Sequence, residues 1–458
     1  MAFFYISSIG LFIFTLQLKS PLFFKIRGFD LILSLPGSFF LCFLLLKKFK
    51  NNSNPSLFYK AIPLFILLNA TTFFLGLYSE IKFTYYRYIV EHTNPEIVQK
   101  YAKHILLGYS SEEVIEEHIR KGRLGGVFIS QRNVEGKNTT DLQKLFSKWK
   151  SEYCKSGAGS LILAADQEGG IVSRLSPPLE DIPNPGMVYK TGGKEALAKY
   201  AAKKAKDIKN LGLNMNLSPV VDLEERPKET RMDLHTQIWL RAISSDQEVV
   251  SEVATMYAGI LRKDGIYPVL KHFPGLARIK KDTHFFTAEL DESKEILQKT
   301  DWLPFIQIPK TVDTGIMIGF IIVNTLDSEL AAPFSHKVMD YIRQENGFQG
   351  LLLTDDYSMG PAFYHKKDIS ELASLSLSAG IDLILVTYDP RLYYPLLYGL
   401  IQKEKNGKGL NLNKSKTRLE KVFPKGKCNN PESHSNHGVY RHLSQSHPTY
   451  VSKCSMKN

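Results

Sequence analysis

Carboxylates, histidines and basic side chains recur in this chain at the ends of short apolar runs. Thr354-Asp355-Asp356 follows Leu351-Leu352-Leu353. If that run is a strand, alternation sends the two aspartates to opposite sides, one toward an open site and one into the wall. A carboxylate in that place can act as nucleophile or metal ligand, and the same spacing equally suits an aspartate capping a following helix. Asp166-Gln167-Glu168-Gly169-Gly170 follows a second run. Its glycines would let backbone approach a ligand closely. Asp166 can accept hydrogen bonds from hydroxyls, and Arg174 can reach an anion or a carboxylate. A glycine turn with surface charge has the same sequence. Lys271-His272 ends a third run and offers hydroxyl-binding groups. Asp282-Thr283-His284 sets a carboxylate one residue from an imidazole, close enough to accept a ring N–H and fix the tautomer. Such a histidine can give a proton to a leaving group, although an isolated Asp-x-His is more often a capped turn.

These groups need a frame that gathers strand ends. From about residue 96, short β-branched runs alternate with helical stretches. Residues 126–130, 161–165, 215–217, 267–270, 316–323, 351–354 and 383–386 read as strands. Residues 194–210 and 245–263 carry helical periodicity. Nearly every strand runs into polar residues: Asp166, Asp222, Lys271-His272, Asn324, Asp355-Asp356. Polar groups collected at the C-terminal ends of parallel strands are what an α/β (β/α)8 TIM-type barrel produces. The alternative, an open doubly wound sheet, needs a glycine-rich turn after its first strand, and here Gly125-Gly126 precedes it.

The first 95 residues differ. Residues 1–18, 31–46 and 61–79 contain no charged side chain. A bilayer span takes about 20 apolar residues, so two to three transmembrane helices are expected over residues 1–95, with the barrel over 96–423 and a basic, disordered tail over 424–458. The net charge of +12 is concentrated in the two ends, and the middle of the chain is slightly acidic. That distribution suits membrane-flanking loops and excludes a nucleic-acid-binding face as the leading reading. Lys/Arg counts on the two sides of the apolar runs are nearly equal, so they do not orient the chain. The cysteines, Cys42, Cys154, Cys428 and Cys454, form no Cys-x-x-Cys. The tail histidines match no standard zinc spacing, so no metal is expected.

Four separated segments, in order, resemble the glycoside hydrolase family 3 β-N-acetylglucosaminidases of the peptidoglycan-recycling type. They are Asp166 to Arg174 (DQEGGIVSR), Asn216 to Asp222 (NLSPVVD), Lys271 to His284 (KHFPGLARIKKDTH) and Thr354 to Met359 (TDDYSM). The similarity covers roughly residues 96–423. It implies a (β/α)8 barrel and a retaining, exo-acting hydrolase of terminal β-linked N-acetylglucosamine, with no cofactor. Asp355 matches the family nucleophile. His284 matches the general acid/base, with Asp282 as its partner. Asp166, Arg174, Arg241, Lys271 and His272 match sugar-binding positions. The resemblance implies a peptidoglycan-derived sugar as partner, and the uncharged N-terminal runs, which lie outside it, add a lipid bilayer, so the protein is expected in a bacterial membrane. The chain departs from the family pattern at Ile171 and at Leu276-Ala277, where the family has Arg and His-Gly. These changes bear on the substrate and on loop motion more than on reaction class. They leave two alternatives: a decayed, membrane-tethered glycan-binding protein, or a glycosidase of other sugar specificity.

Overall fold

The computed structural model describes residues 2–17, 30–50, 56–224, 236–279, 281–284, 286–359 and 368–425. The expected tail, with its histidines, Cys428 and Cys454, lies outside the described residues.

Eight parallel strands close into a barrel. They are β1 (Ile105–Leu107), β2 (Gly126–Ile129), β3 (Ile162–Ala165), β4 (Met215–Asn216), β5 (Tyr267–Phe273), β6 (Gly315–Ile318), β7 (Leu352–Asp356) and β8 (Leu383–Val386). Each pairs with its sequence neighbours, and β1 pairs with β8 to close the ring. The register runs Ile105 to Ile384 on one side of β1 and Leu106 to Gly126 on the other. Leu106, Ile162, Met215, Val269, Met317 and Leu353 pack together in a cluster separate from the main core, as the filled interior of such a barrel requires. The helix Asn413–Val422 closes the base, with Leu419, Val422 and Phe423 packed on that cluster. Arg418 holds it there through Asp382 at 2.7 Å.

Two strands differ from the sequence expectation. β1 carries only three residues, too short to show a period. The apolar run 316–323 is divided between β6 and Ile321–Val323, which belongs to a separate three-stranded sheet. Gly319 marks the break, donating its N–H to Phe273 O at 2.8 Å. The helix expected at 194–210 begins at Pro185 and kinks at Gly193 (φ 65°).

Before the barrel come α1 (Ala2–Gln17), α2 (Asp30–Lys50) and α3 (Ser56–Glu91), packed on one another. Among the described residues one stretch, Pro63–Glu91, is long and apolar enough to cross a bilayer, with mean hydropathy 1.5. α1 has 16 residues, about 24 Å of helix, short of a hydrocarbon core of about 30 Å. α2 contains Pro36 and ends in lysines. The polarity of the three helices is inverted relative to a soluble core. Ser8, Ser38, Asn69 and Thr72 are buried, while Ile6, Phe39, Phe43, Leu64, Leu67 and Phe74 are exposed. Asn69 Nδ2 donates to Ser8 Oγ at 2.8 Å and to Phe65 O at 2.9 Å, joining α3 to α1.

Candidate active site

The polar groups meet at the C-terminal mouth of the barrel, around a cavity of about 90 Å³. Asp166, Glu168, Arg174, Arg241, Lys271, His272, His284 and Asp355 all line it. They arrive from the ends of β3, β5 and β7 and from the loops after β3, β4 and β5.

The most closely paired part is an ion network. Lys271 Nζ donates to Asp166 Oδ1 at 2.6 Å and lies 2.6 Å from Glu168 Oε1. Arg241 grips Glu168 with both ends of its fork, Nε to Oε2 at 2.9 Å and Nη2 to Oε1 at 2.7 Å. Burial opposes the charge on Glu168, yet Arg241 and Lys271 hold its carboxyl well below the usual carboxylate range. Burial likewise opposes the charge on Arg241, and Glu168 more than offsets it. Gly169, expected to admit a ligand, is instead approached by protein. At its φ of +97° a Cβ would sit 2.3 Å from Pro183 O. The glycine closes the hairpin behind the network rather than opening it in front.

His272 is fixed from behind. Asp222 Oδ2 accepts both its Nδ1–H, at 2.7 Å, and its backbone N–H, at 3.0 Å. Asp222 Oδ1 accepts the N–H of Leu276 at 2.8 Å. Leu276 and Ala277 are buried in the main core. The two residues that depart from the family motif therefore anchor the root of the loop. Further on, Asp282 Oδ1 accepts the backbone N–H of His284 at 2.9 Å and lies 3.0 Å from its Nδ1. Asp282 is buried and His284 about a quarter exposed, so the carboxylate orients a ring that still reaches the cavity.

The paired aspartates divide as strand alternation requires. Asp356 is buried and saturated: it accepts the N–H of Thr387 and of Ser358, each at 2.9 Å, and the Thr387 hydroxyl. Burial raises its carboxyl above the ordinary range despite these bonds. Asp355 is half-buried at the cavity and accepts the Asp356 N–H at 2.8 Å.

Two participants were named in the sequence without a role, and a third, Tyr388, was missed. Glu168 is two residues from Asp166, so alternation already set both on one side. Asp222 ends its segment as the other site residues do. Tyr388, two residues beyond β8, lines the cavity. Burial pushes its hydroxyl up, which keeps it a proton donor near Asp355 and Asp166.

A closed parallel barrel with carboxylates, cations and a carboxylate-oriented histidine at its C-terminal mouth defines a (β/α)8-barrel enzyme. Residues 96–423 match the glycosyl hydrolase family 3 N terminal domain, and the chain belongs to that family; it is a glycoside hydrolase. A beta-hexosaminidase of Stenotrophomonas maltophilia K279a is 27% identical over 297 residues, covering 62% of this chain and 83% of that protein. The beta-hexosaminidase LpqI of Mycobacterium tuberculosis is 29% identical over 297 residues, covering 62% and 72%. Among solved structures, a family 3 beta-N-acetylglucosaminidase from Paenibacillus sp. FPU-7 superposes with TM-score 0.66 at 23% identity, covering 75% of this chain and 66% of that one. The Thermotoga maritima beta-N-acetylglucosaminidase gives 0.60 at 26% identity, covering 72% and 68%.

Proposed function

We propose that this chain is a membrane-anchored, retaining exo-β-N-acetylhexosaminidase that releases terminal β-linked N-acetylglucosamine from peptidoglycan-derived glycans. The observation that carries the reading is the pairing of Asp355 with the Asp282–His284 pair across one cavity. Asp355 attacks the anomeric carbon while His284 protonates the glycosidic oxygen, and the aglycone leaves. His284 then takes a proton from water, which attacks the anomeric carbon and releases Asp355. Asp166, Lys271, Arg241, His272 and Arg174 bind the sugar hydroxyls and hold it in place. Relatives named beta-hexosaminidase support the sugar class.

The anchor rests on the inverted polarity of α1–α3. Small polar side chains that bond across helices, with large apolar ones outside, suit lipid rather than water. The residue division proposed is 1–95 for the anchor, 96–423 for the barrel and 424–458 for the tail.

The test is hydrolysis of 4-nitrophenyl N-acetyl-β-D-glucosaminide by the full-length protein in detergent, followed by trapping with a fluorinated sugar. Turnover is expected, with the covalent label on Asp355. Unchanged turnover by Asp355→Ala would sink the mechanism.

A further inference from the structure

α3 is a single 36-residue helix that belongs to both halves of the molecule. It crosses the barrel wall obliquely, with Phe83 and Glu91 both reaching Tyr394 at the start of the helix Tyr393–Lys405. Near the end of its uncharged stretch, Glu80 accepts from Arg391 Nη2 at 2.5 Å, and Lys82 donates to Asp368 at 2.9 Å. Arg391 lies just beyond β8, and Asp368 caps the helix Ile369–Ala379 that follows β7. Both therefore stand at the mouth. One turn on, Tyr86 packs on Tyr398, with ring centroids 4.2 Å apart. At the far end Glu91 accepts from Arg123 at 2.7 Å and lies 3.3 Å from Lys121. Those two residues precede β2 and stand at the base. α3 thus slants across the barrel wall with its Lys82 end toward the mouth and its Glu91 end toward the base, a length of about 16 Å from Glu80 to Glu91.

Followed the other way from Glu80, the same helix passes beyond the mouth. Residues 63–79 add roughly 25 Å of apolar helix, close to a hydrocarbon core. Tyr86 and Val90 are buried in the barrel's main core. The spanning helix and the barrel are therefore one piece. The bilayer lies on the side of the barrel where the active site opens.

The barrel surface agrees independently. Among the described residues, six large apolar side chains of the barrel are exposed: Val114, Ile171, Met187, Trp239, Phe286 and Ile296. All six lie between a strand's C-terminal end and the first turns of a following helix, on the side where the mouth opens. Ile171, 50% exposed, stands where the family carries arginine.

We infer that the catalytic mouth faces the bilayer and that the substrate is a glycan on a lipid anchor in the same membrane. This rests on the proposed function for the reaction and the membrane anchor, and on α3 and the exposed apolar residues for the orientation. The apolar rim of the mouth sits against the lipid surface, and a terminal aminosugar held close to that surface enters from below the rim.

The full-length protein in lipid vesicles tests both parts. Of the three tryptophans, Trp239 is exposed at the mouth, while Trp149 and Trp302 are buried in the barrel. Vesicles of brominated phosphatidylcholine should quench the Trp239 emission, and Trp239→Phe should remove the quenched component. A glycan with a terminal β-N-acetylglucosamine on a lipid tail, in the same vesicle, should be cleaved with at least tenfold higher kcat/KM than its tail-free counterpart. Inserting a Gly-Ser linker after Ser79 should leave cleavage of the soluble sugar intact and abolish both the quenching and the preference. Absence of Trp239 quenching overturns the orientation. Quenching without preference for the anchored glycan overturns the substrate. Quenching with no hydrolysis of any sugar overturns the glycosidase reading and leaves the orientation standing.

Discussion

The carboxylate of Asp355 accepts the backbone N–H of Asp356 at 2.8 Å, while the side chain of Asp356 is engaged by Thr387 and Ser358. Two adjacent aspartates thus have opposite duties: one is tied to the wall, and the other is turned to the cavity.

On the proposed mechanism Asp355→Asn should lower kcat by about a thousandfold or more, because the covalent step would lose its nucleophile. Asp356→Asn should act differently, since it keeps the shape and the oxygen that takes the Thr387 and Ser358 N–H groups but loses the oxygen that takes the Thr387 hydroxyl. It should lower the thermal midpoint as well as kcat. Steady-state kinetics and differential scanning fluorimetry on both variants separate the two.

His284→Asn should cost on the order of 10²–10⁴-fold with an unactivated disaccharide. With a nitrophenyl leaving group the first step needs no acid, so the loss should be much smaller at that step. Added azide should then restore part of the second step. Asp282→Asn should fall between wild type and His284→Asn, because the ring loses its orienting charge but keeps its place. Comparing the two substrates across the three proteins checks this.

Glu168→Gln leaves Arg241 and Lys271 buried beside one another with half their compensation gone. A broken buried ion pair costs about 3–5 kcal/mol. The variant should unfold at lower denaturant and bind sugar more weakly, and Glu168→Gln with Lys271→Met should regain part of the stability. Because pairing holds the Glu168 carboxyl below its ordinary range, the wild-type network keeps its stabilisation above the unfolded-state value and loses it only as pH falls through the lower folded one. Urea midpoints at several acidic pH values for wild type and variant read this directly.

Lys204 gives a pH dependence of the same sign in an alkaline window. Its Nζ donates to Glu168 O at 2.6 Å and lies 4.6 Å from the centre of the Tyr200 ring. Burial pulls its ammonium down to about 7. Between that value and the unfolded-state value near 10.5 the unfolded chain holds the extra proton, so stability should rise with pH across this window. Lys204→Met should accordingly compare better with wild type at pH 6 than at pH 9. Thermal melts at the two pH values measure the difference.

Much of this was legible in the sequence because a parallel barrel writes its site at strand ends. Asp166, Lys271-His272 and Asp355 each close an apolar run, and the runs placed them at one mouth. Glu168 was quoted but unassigned, because its role depends on Arg241, which lies 73 positions away. β1 was hidden by its length. The direction of α3 along the barrel was beyond any local pattern, since it is written in pairs such as Glu80–Arg391, which are 311 residues apart.

Asp222 uses one oxygen on His272 and the other on Leu276. Ile279 is buried two residues after the Leu276-Ala277 step, and Arg278 is tied to Asp301 at 2.7 Å. His284 therefore rides on a short leash of five residues, with a reach of at most about 17 Å when fully drawn out. Within that reach it is the buried Asp282, not the tether alone, that keeps the His284 ring turned to the cavity.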